Sequence, residues 1–443
     1  ERAQQCIAWR DYVAPNQLSY LRIMSVLKKL ASQTAVYGLS TMLGRFLNYA
    51  LVPLYLSKFT PAEYGVVSVM FTYASFLAIF FALGLETAFF NFSKKTQQPA
   101  KVFATATYTL IFTGFAAILL ARWMGPQIMN WMGYPQYPAL IEYLVYILAA
   151  DAISALGFAW LRQQEKPWSF AWIRLTNIGV NILANLFLLV IAPAFGDFLI
   201  NHKPHCLGLA LDATQFNGET WHNFAAWGLE QAQPQNMIAN IFLSNLLASA
   251  ITLPLLWRTF TQLKEGFDVA LIKQMLRYSL PLIVVGLAGM INETFDRIML
   301  GWWAPGGSPD ANKAIVGIYS ACYKLSILIT ISVQAFRMGA EPFFFKQSSE
   351  ENAPKTYARV MKFFVITLCI MFLMVVLYLD IWKEFIRNPA MYVGLRVVPI
   401  LLIANIFLGI YYNLSIWYKL SNKTMAGAWI TLLGAVITIT INF

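Results

Sequence analysis

The residues best placed to do chemistry are ionisable and amide side chains set inside long apolar runs. One such run carries Arg45 near its middle and Asn48 one turn later, and another carries Asp151. A third holds Asn292, Glu293, Asp296 and Arg297. The next holds Lys324, with Arg337 and Glu341 toward its end, and Glu86 lies toward the end of an earlier run. An ionisable group near the centre of a membrane helix costs roughly 2.5–3.5 kcal/mol on insertion scales, so it persists where a hydrated cavity or a partner offsets that cost. Arginine donates bidentately to phosphate and lysine meets it as a point charge. Carboxylates in such surroundings, Glu293 and Asp151 above all, are candidates for coupling to H+ or Na+.

Each of these groups has a plainer reading as well. Arg45 is either a cation facing a central cavity and an anionic head group, or half of an interhelical ion pair with Glu86 or Asp151. Glu293 and Arg297, four residues apart, can pair on one helical face, and Asp296 can neutralise Lys324. Arg337 and Glu341 are near enough to the interface to snorkel. The segment 195–234 contains His202, His205 and His222, with Cys206 beside the second. Their spacing fits no specific zinc motif, so the segment reads as a solvated loop and no metal is expected. A phosphate-cradling glycine loop, a nucleophile elbow and an H-E-x-x-H pair are all missing, so the expectation is a non-enzyme without a cofactor.

The elements that must position these residues are membrane helices. The chain has 443 residues, 58% hydrophobic and 12% charged, with a mean hydropathy of +0.57, against roughly 25% charged in an average soluble domain. Runs such as 102–121 and 237–256 cross a hydrocarbon core of about 30 Å without an ionisable group, and the ten-residue alternation of a β-barrel is absent. Cys6, Cys206, Cys322 and Cys369 are scattered and imply no disulfide framework. The pattern predicts an all-α polytopic protein with eleven spans, at about 31–57, 66–90, 102–123, 139–161, 170–193, 235–257, 278–302, 315–337, 360–380, 393–418 and 425–443. The formal charge of +11 is a topology signal and not a nucleic-acid signal. Most Lys and Arg, Arg174 among them, fall on the side that holds the N-terminus, while the other side has only Lys58, Arg122, Lys203, Lys313, Lys383 and Arg387. That asymmetry predicts a cytoplasmic N-terminus. Residues 1–23 have no apolar or periodic pattern and read as disordered or non-native.

An internal repeat divides the rest. Trp160, Arg162, Lys166, Ala171, Trp172, Ile173 and Asn185 correspond to Trp417, Lys419, Lys423, Ala428, Trp429, Ile430 and Asn442 at a constant offset of 257. Tyr64-Gly65-Val66-Val67-Ser68 likewise resembles Val316-Gly317-Ile318-Tyr319-Ser320. The predicted organisation is an N-terminal lobe, 24–257, and a C-terminal lobe, 258–443, each built on a six-helix unit and related by a pseudo-two-fold axis along the membrane normal. The repeat predicts a twelfth helix beyond Phe443.

The stretches 57–65 (SKFTPAEYG), 84–92 (GLETAFFNF), 151–162 (DAISALGFAWLR), 278–300 (YSLPLIVVGLAGMINETFDRIML), 334–345 (QAFRMGAEPFFF) and 408–420 (LGIYYNLSIWYKL), in this order, resemble the polysaccharide-export branch of the multidrug/oligosaccharidyl-lipid/polysaccharide flippase superfamily. The resemblance implies two six-helix bundles around a central cavity, moving by alternating access. It makes Arg45 look like the helix-one arginine of such flippases, and Asp296 with Arg297 like their helix-seven Asp-Arg pair. The implied activity is flipping of an undecaprenyl-pyrophosphate-linked oligosaccharide from the cytoplasmic to the periplasmic leaflet of a bacterial inner membrane. Arg45, Arg297, Lys324 and Arg337 would be the cavity cations. Asn48, Glu86, Asp151, Asn292, Glu293, Asp296 and Glu341 would be the polar or ion-coupling groups, and the expected partners are the lipid-linked substrate and membrane lipids, with the protein a monomer. Alternatives are a lipid II flippase, a cation-coupled multidrug exporter with an acidic cavity, and a membrane glycosyltransferase or O-antigen polymerase, which would need an outer catalytic loop.

Overall fold

The computed structural model describes residues 36, 38–201, 218–304, 307–347, 352–421 and 423–442. Residues 1–23, His202, His205 and Cys206 lie outside them, as does the side chain of His222. In chain order the helices are α1 (38–50), α2 (Val52–Lys58), α3 (Pro61–Ala82), α4 (Leu85–Thr96), α5 (Pro99–Trp131), α6 (Leu140–Gln163), α7 (Pro167–Leu186), α8 (Ala192–Asn201), α9 (Gly218–Glu230), α10 (Pro234–Leu255), α11 (Trp257–Phe260), α12 (Val269–Trp303), α13 (Pro309–Gln347), α14 (Ala353–Leu377), α15 (Leu379–Trp382), α16 (Val398–Leu414), α17 (Ile416–Leu420) and α18 (Thr424–Asn442). No strand occurs among the described residues. Ten helical segments there are long and apolar enough to cross a membrane, matching the predicted spans two to eleven; the first predicted span is described from residue 36 onward.

Local sequence accounts for the helix ends. Thr60-Pro61-Ala62-Glu63 starts α3 with a capping box: the Thr60 hydroxyl accepts from the Glu63 amide and the Glu63 carboxylate accepts from the Thr60 amide at 2.8 Å, an arrangement worth about 1 kcal/mol. At α12 the Asp268 carboxylate accepts from the Ala270 and Leu271 amides, both at 3.0 Å. The predicted second span, 66–90, is two helices: Leu83 (φ 50°) and Gly84 (φ 61°) are both left-handed and end α3 before α4 begins. A Cβ on Gly84 would lie 3.0 Å from the Ser279 Cβ of α12, so the glycine serves both the turn and the close approach. Of the 195–234 segment, expected to be a solvated loop, the described parts are the end of α8, to residue 201, and residues 218–234, mostly α9. One π turn at Phe187–Ile191 joins α7 to α8, and α8 packs on α9 through Gly196 and Gly228, where an added Cβ would come within 3 Å of the facing backbone.

The repeat appears directly in the helices. Moving α6 and α7 by the offset of 257 superimposes their limits closely on α16–α17 and α18. The second repeat element forms the contact between the halves, where α3 packs along α13. There a Cβ on Gly65 would strike the Lys313 carbonyl, and one on Gly317 would strike the Pro61 carbonyl. Ser68 donates to Ser320 at 2.6 Å. Glycine faces glycine and serine faces serine, as expected of a two-fold axis passing between equivalent helices. One apolar cluster, including Val66 and Met70 of α3 with Val316 and Leu325 of α13, runs through this contact. A second, built on Leu85, Phe89, Phe103, Trp160 and Met275, joins α4, α5, α6 and α12.

Candidate functional site

Between the halves lies a cavity of about 360 Å³. Its floor and walls come from α1, α2 and α3, from α7 and α10, and from α12 and α13. The polar lining is Asn48, Tyr55, Tyr64, Ser68, Thr72, Ser75, Asn181, Asn245, Thr294, Arg297 and Lys324; Leu51, Val52, Val67 and Phe71 complete it. Both charged lining residues are cations from the second half of the chain, and among the described residues no carboxylate lines the cavity. The first half contributes amides and hydroxyls. On α3, Ser68, Thr72 and Ser75 recur at helical spacing on one face. From α7, Asn181 donates to Asn48 at 3.3 Å and Asn185 to Asn181 at 2.9 Å, while Tyr55 donates to Asn185 at 2.9 Å. This ladder satisfies polar groups that are expensive to bury alone.

Arg297 is held by two partners. Its guanidinium lies 4.3 Å from the Tyr323 ring centroid and 3.6 Å from an Asp296 oxygen, and only 10% of its side chain is exposed. Asp296 also accepts from the Tyr319 hydroxyl and, at 2.9 Å, from the Arg297 amide. Two expected pairings are thereby corrected. Asp296 serves Arg297 and Tyr319 and does not neutralise Lys324, and Arg297 pairs with Asp296 and not with Glu293. Glu293 instead accepts from Tyr412 at 3.1 Å, because α16 presents that hydroxyl on its side of α12. The Lys324 main-chain carbonyl accepts from Tyr49 at 2.9 Å, which ties α1 to α13 at the cavity.

The remaining predicted residues stand outside this lining. Arg45 is exposed and donates to Gln334 of α13; neither Glu86 nor Asp151 is its partner. Asp151 accepts from Ser249 at 2.6 Å, and Glu86 is paired with Arg162, whose guanidinium also lies 5.2 Å from the Phe90 ring. Asn292 donates to the Thr431 carbonyl at 3.1 Å and accepts from Thr438 at 3.0 Å, fastening α12 to α18. Arg337 sits 4.7 Å from the Tyr412 ring, and Glu341 belongs to α13 with its side chain outside the described residues. Among the described residues no cluster of His, Cys, Asp and Glu is suited to a metal. The sequence reading missed Ser68, Thr72, Ser75, Asn181 and Asn245. The signal was present in the polar stripe of α3 and in the four-residue rhythm of Asn177, Asn181 and Asn185 on α7.

Two family profiles match the chain, both described as polysaccharide biosynthesis protein, over residues 59–196 and 235–348. No curated protein matches it. Among solved structures, the inward-facing conformation of a multidrug resistance MATE family transporter of the MOP superfamily is similar at a TM-score of 0.51 and 12% identity, covering 90% of this chain and 93% of that one. A MATE protein in the straight conformation is similar at 0.49 and 13% identity, covering 94% and 96%. The first likeness shows the fold, and the two profiles point to a family: this chain has a MATE-like fold with ten helical segments long and apolar enough to cross a membrane among the described residues, and over residues 59–196 and 235–348 it is similar to the polysaccharide biosynthesis proteins.

Proposed function

We propose that the protein flips an undecaprenyl-pyrophosphate-linked oligosaccharide from the cytoplasmic to the periplasmic leaflet of a bacterial inner membrane, with its N-terminus in the cytoplasm. One observation carries this reading: Arg297 and Lys324 line a membrane-embedded cavity whose other polar groups are neutral. Asp296 offsets a single positive charge, so the site keeps an excess cation in a low-dielectric setting, and an anion is the occupant that relieves it. Phosphate suits a guanidinium fork beside an ammonium, and sugar hydroxyls suit the Asn, Ser, Thr and Tyr wall. The same lining disfavours a cationic drug as cargo. Alternating access then amounts to parting α3 from α13 at the glycine contact, carrying the head group through while the prenyl chain stays in hydrocarbon. Coupling to H+ or Na+ falls to Glu293 or Asp151.

The test is transport in proteoliposomes. Fluorescent undecaprenyl-pyrophosphate-linked oligosaccharide is loaded, and its leaflet is read with a membrane-impermeant quencher. Arg297→Gln and Lys324→Gln are expected to slow flipping by roughly tenfold or more, from the loss of charge-assisted hydrogen bonds. Wild-type rates in both variants at equal protein level would remove the cavity from the mechanism.

A further inference from the structure

The cavity lining continues past the cavity itself. Arg45 lies one turn from Asn48 on α1, Arg174 two turns from Asn181 on α7, and Ser249 one turn from Asn245 on α10, each on the face that its partner shows the cavity. The shifts run toward the helix ends where Lys and Arg cluster. They converge: Ser249 holds Asp151 at 2.6 Å, Arg174 stands within electrostatic reach of both Asp151 and Arg45, and Arg45 crosses to Gln334. Arg174, near the start of the predicted span 170–193, stands seven residues inside α7, half-buried, with Phe158 beneath its guanidinium at 5.7 Å.

We propose that Arg45 and Arg174 form a second anion station, on the Lys/Arg-rich side of the central cavity, which takes the diphosphate before Arg297 and Lys324 do. This rests on the head-group reading given above. Arg174 has one carboxylate, Asp151, and one further arginine, Arg45, within electrostatic reach, so the cluster carries a net positive charge within the membrane, and like charges at such a depth call for a counter-ion. Asp151 is in no ion pair among the described residues. Steered by Ser249, it acts as the resting counter-ion that an arriving phosphate displaces. Arg45 is a binding residue, Arg174 its partner, and Asp151 a competitor that keeps the station from holding its cargo too tightly.

The experiment is calorimetric titration of the purified full chain in nanodiscs with farnesyl diphosphate, with inorganic pyrophosphate as competitor. Arg174→Gln is expected to weaken binding roughly tenfold or more, Arg174→Lys to retain most of it, and Asp151→Asn to tighten it several-fold. Pyrophosphate should compete; failure to do so would put recognition on the prenyl chain and overturn the station. A structural Arg174–Asp151 pair makes the opposite prediction, with both variants weaker and the double variant no worse than either, and that pattern would also overturn it. If Arg297→Gln abolishes binding while Arg174→Gln and Asp151→Asn titrate like wild type, the central cavity stands and the second station falls. If wild type binds no farnesyl diphosphate, the head-group reading itself fails.

Discussion

Adding one methyl group at the crossing of α3 and α13 tests how the halves meet. In Gly65→Ala the new carbon would lie 2.9 Å from the Lys313 carbonyl carbon and 3.2 Å from the Gly317 nitrogen. In Gly317→Ala it would lie 2.8 Å from the Pro61 carbonyl carbon and 3.0 Å from the Gly65 nitrogen. Every one of these neighbours is main chain, so no side chain can swing away. Carbon atoms rest at about 3.5–4.0 Å, and the two helices must part by on the order of 1 Å to restore that spacing. Overpacking of this kind costs roughly 1–3 kcal/mol, which removes this arrangement from the equilibrium by roughly 5- to 150-fold. The assay is cross-linking of Ser68→Cys with Ser320→Cys, whose native hydroxyls are 2.6 Å apart, in a chain with its four cysteines replaced. The disulfide should form readily in the parent and much more slowly with either alanine, while expression and monodispersity are kept. Equal cross-linking in all three proteins would show that close approach at this point does not set the equilibrium.

Other expectations follow from the same contacts. Tyr323→Phe keeps the ring under Arg297 and should retain transport, whereas Tyr323→Leu removes a cation–π contact worth about 0.5–2 kcal/mol and should reduce flipping severalfold at unchanged protein level. Asn405 is buried; it donates to Ser326 at 3.2 Å and accepts from Thr330 at 2.8 Å, linking α16 to α13. Asn405→Leu should therefore lower stability by roughly 1–3 kcal/mol through the loss of both bonds between α16 and α13, read as a lower melting temperature in detergent. Asp268 has its pKa held below the usual carboxylate value by the Leu271 amide first and then by Lys101. Its contribution to stability is thus present above about pH 4 and fades as pH falls through the folded-state value. Asp268→Ala should lower the melting temperature at pH 7, by a margin that shrinks as the pH is taken below about 4.

Where the sequence repeats itself, the fold was legible. The 257-residue offset anticipated α16 and α18 from α6 and α7, and the Gly65 and Gly317 pentapeptides turned out to face each other, because helix placement follows from apolar length and small residues mark close crossings. The break at Leu83–Gly84 was not legible. Apolar composition runs through it, and a left-handed leucine has no composition signature. The site was half legible. Depth in an apolar run singled out Asn48, Arg297 and Lys324, which line the cavity. Choosing partners by opposite charge then misled: Arg45 reaches the neutral Gln334 and Asp151 the neutral Ser249, and Glu86 is taken by Arg162. Hydrogen bonding between residues far apart in the chain serves a charge set in an apolar helix as ion pairing does, and a single sequence does not encode which side chain arrives.

The π turn at Phe187–Ile191 has its own consequence for the rod that contains it. A turn with one additional residue rotates everything after it by about 100° relative to an uninterrupted helix. Asn177, Asn181 and Asn185 can thereby look toward α1 and α10 while Gly196, farther along, looks toward Gly228. Deleting any single residue from 187–191 would straighten the coil, and either the amide row or the glycine seat would then face the wrong neighbour. One surplus amino acid works here as a swivel, allowing a single continuous strut to keep two appointments at different compass bearings.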